Sequence, residues 1–167
     1  MKTNITILLI RVFLVFVFFV GILICAWWYP FSLTITTGFF VPDLEENDIS
    51  FNMYTEFYSQ LAFYWSVSIP CFVVVMLGFR GTVIAKKEGA FSIRSAKTLF
   101  KMALILFIAS VVFLIGNVIF MMLKWNVFAI LYFIVGGMGL VISGVLYAGH
   151  KYLVNASQLK EENDSIL

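Results

Sequence analysis

No lysine or arginine occurs between Arg11 and Arg80, and the next twenty-one residues then supply Lys86, Lys87, Arg94, Lys97 and Lys101. In a chain this apolar, such segregation dictates how the polypeptide threads a lipid bilayer. Of 167 residues, 62% are hydrophobic and only 12% are charged, where a soluble domain carries about a quarter charged. Nineteen phenylalanines are more than a water-soluble core of this size absorbs. Lipid takes them.

Four stretches are long and apolar enough to cross about 30 Å of hydrocarbon at 1.5 Å per helical residue. They run from Val12 to Tyr29, Phe57 to Phe79, Met102 to Leu123 and Val127 to Gly149. In lipid, every backbone N–H and C=O must bond within its own segment, so each stretch is predicted helical. The expected fold class is all-α: a polytopic four-transmembrane-helix bundle forming one domain over residues 1–167. The first stretch has the positive start of a secretory signal. It ends Ala26-Trp27-Trp28-Tyr29-Pro30, without a small-x-small cleavage site, and is read as a retained helix.

Orientation follows from the charges in short loops. Ten of the eleven basic residues fall on one side: Lys2 and Arg11 before the first span, six from Arg80 to Lys101, and Lys151 and Lys160 after the fourth. Only Lys124 is opposite. Both termini, a basic loop at 80–101 and a tail at 150–167 are therefore expected in the cytoplasm. An outer loop at 30–56 carries Asp43, Glu45, Glu46, Asp48 and Glu56 and no basic residue. Its flanks hold Trp27, Trp28 and Tyr29, then Tyr54, Tyr58, Tyr64 and Trp65, read as anchors at the headgroup level. The link Lys124-Trp125-Asn126 makes the last two spans an antiparallel hairpin.

Membrane enzymes and ion-coupled carriers keep buried ionisable groups, because such groups are costly in lipid and retained for function. The spans place no Asp, Glu, Lys or His near mid-depth. Arg11 sits at an edge and can snorkel to the cytoplasmic interface. His150 stands beside Lys151 with no partner of ligand type nearby. Cys25 and Cys71 form no C-x-x-C pair, and their expected depths differ by more than the 7 Å a disulfide tolerates. No catalytic, metal or cofactor-binding residues are expected, and the chain reads as a non-enzyme. Asn117 is the one amide well inside a span, Gln60 lying near the outer end of the second, with Ser66, Ser68, Ser110 and Ser143 as hydroxyls; such groups bond across helices or to their own carbonyls. Pro70 should bend the second span.

The fourth span contains Gly136, Gly137, Gly139, Gly144 and Gly149. Gly139-x-x-x-Ser143 and Gly144-x-x-x-Ala148 are small-x-x-x-small pairs that admit a close helix. Gly137, Gly144 and Ala148 share one face. That face either packs within the chain, on the third or first helix, or makes a homo-oligomer.

Ser92 is a candidate N-cap. After it, Arg94, Lys97 and Lys101 fall at i, i+3 and i+7, one basic stripe on a helix entering the third span. The stripe suits anionic lipid headgroups, worth about 1 kcal/mol per basic residue, or a docking face for a protein. No base-reading element or stacking platform accompanies it, so direct nucleic-acid binding is not expected. Beyond Asn155 the chain turns polar. Glu161, Glu162, Asn163 and Asp164 form a second candidate handle for a cytosolic partner.

Lys86-Lys87-Glu88-Gly89-Ala90-Phe91-Ser92, followed by the basic amphipathic helix, is similar to the middle segment of one bacterial family. Leu159-Lys160-Glu161-Glu162-Asn163-Asp164 resembles the same family's C-terminal signature. That family comprises small four-helix integral membrane proteins known as a domain of unknown function. Its tail usually continues Leu-Thr and a β-branched residue, where Ser165-Ile166-Leu167 stands here. The family's genes often neighbour one for a small Cro/CI-type helix-turn-helix regulator. The resemblance therefore implies a multi-pass protein of the bacterial cell membrane that anchors or senses for such a regulator, and it carries no catalytic residues. Two other roles fit the residues: a small transporter or oligomeric pore lined by Asn117, Pro70 and the glycines of the fourth span, and an immunity or stress protein.

Overall fold

The computed structural model describes residues 2–38, 51–89, 91–123 and 129–166, and among these the side chains of 5–23, 58–89, 91–123, 130, 132–159 and 162. Four α-helices make up the described chain: α1 (Lys2–Gly38), α2 (Phe51–Glu88), α3 (Ile93–Met122) and α4 (Ala129–Ile166). The fold is all-α, and each helix contains a segment long and apolar enough to cross a membrane.

The helices overrun the apolar spans. α1 continues past Pro30 to Gly38, and α2 already begins at Phe51, so helix occupies both ends of the expected loop at 30–56. A proline removes one backbone bond and is tolerated inside membrane helices, where neighbours re-satisfy the freed carbonyl. α2 likewise runs unbroken through Pro70. Within α2, Ser66 and Ser68 donate to the carbonyls of Ala62 and Trp65, both at 2.7 Å, which satisfies the hydroxyls locally. The acidic stretch from Asp43 to Asp48 and the Lys124-Trp125-Asn126 link lie outside the described residues, as do the side chains of Cys25, Trp27, Trp28, Tyr29, Tyr54 and Glu56.

The basic loop expected at 80–101 contracts to the four residues between α2 and α3. α2 reaches Glu88, and Gly89 takes φ +90, the left-handed conformation that ends helices and that side chains with a Cβ resist. Ser92 then caps α3 in extended conformation, its Oγ accepting from the Ser95 N–H at 3.2 Å. The expected tail at 150–167 is also helical, as the end of α4.

The helices pack in chain order: α1 on α2, α2 on α3, α3 on α4. Among the described residues α1 and α4 do not meet, so the arrangement is an open row, where a closed bundle would bring the outer two together. At the α1–α2 seam Phe18 and Phe72 sit edge-to-face at 5.4 Å. At the α3–α4 seam Ser143 donates to the Ala103 carbonyl at 2.9 Å. Apolar side chains such as Leu9, Phe16, Met76, Phe107 and Val145 point outward. In hydrocarbon that costs nothing, because lipid tails are as apolar as they are.

Candidate functional site

Among the described residues, two places concentrate polar side chains: the basic end of the row, and a knot within the apolar helices.

At the basic end, Arg94 of the first turn of α3 pairs with Glu88, the last residue of α2, and so clamps the turn between them. Ser95, Ala96 and Thr98 bury on the inner face of α3, while Arg94, Lys97 and Lys101 are exposed. The expected stripe is thus present on one outward face, and Leu104, Phe107 and Ile108 extend that side with exposed apolar surface. α4 passes alongside. The His150 Nδ1 lies 2.9 Å from the Ala96 carbonyl; a carbonyl only accepts, so Nδ1 carries the hydrogen. The imidazole packs on Phe100 at 5.1 Å and on Tyr147 at 6.0 Å, and Lys151 Nζ sits 5.8 Å above the Tyr147 ring. His150 therefore joins two helices. Among the described residues no His, Cys, Asp and Glu group could hold a metal ion.

Past His150, Leu153 and Val154 are half-buried and Ser157 is buried. A helix rises 1.5 Å per residue, so α4, with 38 residues, is about 57 Å long against about 30 Å of hydrocarbon. Its last turns carry Glu162, which is exposed. The backbone at Glu161, Asn163 and Asp164 continues the helix, and their side chains lie outside the described residues.

Arg11 does more than reach for an interface. Its Nε donates to Thr82 Oγ1 at 3.0 Å, and Thr82 in turn donates to the Phe79 carbonyl at 2.7 Å. This ties α1 to α2 near the basic end.

The second cluster centres on Asn117, which has 0% exposure. Its Nδ2 donates to the Phe113 carbonyl at 2.7 Å, and its Oδ1 accepts from the Tyr64 hydroxyl at 3.1 Å. Tyr64 also stacks on Tyr132 at 5.1 Å and is hydrogen-bonded to it. Three helices thus share one short polar chain, enclosed by Phe63, Phe113 and Phe120. Tyr64, expected as an interface anchor, also reaches across to α3 and α4. Trp65, next to it, is exposed.

The small residues of helix four fall on two faces. The Gly139–Ser143 pair faces α3: a Cβ at Gly139 would fall 2.2 Å from Ser110 Oγ, and one at Gly136 2.5 Å from Leu114. Gly137 and Gly144 have nothing within 4 Å of such a Cβ, and Ala148 is exposed. The face shared by Gly137, Gly144 and Ala148 packs on no helix of its own chain among the described residues. The row has α3 on one side of α4 only, so a second small-residue face has nothing to meet.

Sequence reasoning does not pair Arg11 with Thr82 or Tyr64 with Asn117. One signal points to the second pair: Asn117, the one amide well inside a span, needs a donor from another helix, and an aromatic hydroxyl on a neighbouring span supplies one.

A family model described as a protein of unknown function (DUF2975) matches residues 41–166, about three quarters of the chain. No curated protein and no solved structure matches.

Proposed function

The chain belongs to the DUF2975 family, and from that premise we propose that it is a non-enzymatic accessory protein of the bacterial cell membrane whose basic end holds a small cytoplasmic regulator. The observation that carries this reading is the bond between His150 and the Ala96 carbonyl. It fastens α4 to the first turn of α3, so that the helix after His150 continues from the same end of the row that carries Arg94 and Lys97. A membrane span needs no such extension. Both termini and the α2–α3 turn face the cytoplasm in this reading, following the basic residues. The partner is a helix-turn-helix protein of the kind expected from the family resemblance.

A pore or carrier reading draws less support, because the amide of Asn117 is consumed by Tyr64 and the Phe113 carbonyl and lines no path.

The test is affinity purification of the tagged protein from its host in mild detergent, with mass spectrometry of what co-purifies. A small helix-turn-helix protein should be recovered. It should be lost on deletion after Tyr152, and on joint replacement of Arg94, Lys97 and Lys101 by Gln. Recovery undiminished in both variants, or recovery of the chain alone, overturns the reading.

A further inference from the structure

One face of α2 carries a shallow, open groove bounded by side chains of that helix alone: Ile69, Phe72, Val73, Met76, Leu77 and Arg80. The first five are apolar, and the sixth is a cation at the end nearer the basic turn. From Ile69 to Arg80 is eleven residues, so the groove is about 16 Å long at 1.5 Å per residue. That is half of the roughly 30 Å hydrocarbon core, or one leaflet. Phe72, which forms one wall, is held in place by Phe18 of α1. We propose that this groove is a binding site for one anionic phospholipid of the basic-side leaflet, an acyl chain lying along Ile69–Leu77 and the phosphate on Arg80.

Three features select that occupant. The groove lies within an apolar segment of membrane-spanning length, so its apolar part meets acyl chains and not water. Arg80 is exposed and pairs with no carboxylate among the described residues, where Glu88 is already bonded to Arg94. A guanidinium takes a phosphate oxygen pair in two parallel bonds, a geometry that ammonium lacks. Lys87 is also exposed and follows Arg80 at i+7 on the same stripe, which adds positive potential at headgroup depth.

The full chain should be reconstituted in bilayers of equal phosphatidylcholine and phosphatidylglycerol, extracted gently and examined by native mass spectrometry. The wild type should retain phosphatidylglycerol in preference to phosphatidylcholine. Arg80→Gln should cut that preference about tenfold, the scale of one charge-assisted hydrogen-bonded pair, and Arg80→Lys should restore part of it. Val73→Trp, which fills the groove, should reduce retention while leaving the thermal transition in place. Lys97→Gln with Lys101→Gln removes two charges on α3, away from the groove, and should lower the preference less than the single change Arg80→Gln does. Equal retention of both lipids by the wild type overturns the proposal. So does a loss in the α3 variant matching that of Arg80→Gln, which would make the attraction a property of the whole basic end.

Discussion

Tyr64 of α2 donates its phenolic hydrogen to the amide oxygen of Asn117 of α3 across 3.1 Å, and Asn117 has no exposed surface at all. Hydrogen bonds between membrane helices average about 0.6 kcal/mol, with a maximum near 1.7. Tyr64→Phe should therefore cost about 1 kcal/mol. Asn117→Ala should cost roughly 2 kcal/mol, because it also opens a cavity and strands the phenol. In the double variant the tyrosine change should cost less than it does alone, the remainder being its contact with Tyr132. Unfolding in mixed micelles by an added denaturing detergent measures all three, and strict additivity would show that the bond contributes nothing.

Gly116 and Gly144 should respond in opposite ways to the same methyl group. A Cβ at Gly116 would lie 2.1 Å from the Phe63 ring, which is itself packed among Phe113 and Phe120, whereas one at Gly144 meets open space. Gly116→Ala should destabilise by about 1–3 kcal/mol, as overpacking does. Phe63→Leu in the same chain should recover part of the loss. Gly144→Ala should leave the transition unmoved in monomeric protein.

The all-α class and the number of spans are legible in the amino-acid sequence. Mean hydropathy of +1.02 and four apolar runs suffice for both, because lipid leaves the backbone no alternative to helix. Ser92 is identifiable as a cap because its oxygen and the free N–H groups of α3 are close neighbours in the chain. The ends of the helices are not legible. Hydropathy marks where lipid stops, and nothing obliges a helix to stop there; α2 runs on to Glu88 and α4 to Ile166. Nor does periodicity distinguish the two small-residue faces of α4. Gly139 and Gly144 obey the same spacing rule, and only the position of α3 decides which of them is covered.

Cysteine pairs should report the open row. With Cys25 and Cys71 replaced by Ala, Leu14→Cys with Gly78→Cys should crosslink within one chain, since Leu14 packs directly over Gly78. Leu14→Cys with Val145→Cys should not. An intrachain bond in the second pair would place α4 against α1 and close the row.

Accessibility should place the basic end on a single side. Lys97→Cys and Glu162→Cys, both at exposed positions, should react with a membrane-impermeant maleimide in inverted vesicles and not in intact cells. Labelling from opposite sides would refute the threading, and labelling of both in intact cells would reverse it.

Because each helix rests on its immediate predecessor, the protein can be put together in the order in which a ribosome makes it. α1 needs only α2, and neither waits for a segment not yet synthesised. The exception is Tyr132, whose ring reaches back past α3 to Tyr64. That stacking has to wait for α4, which is made two helices after the Tyr64 it joins.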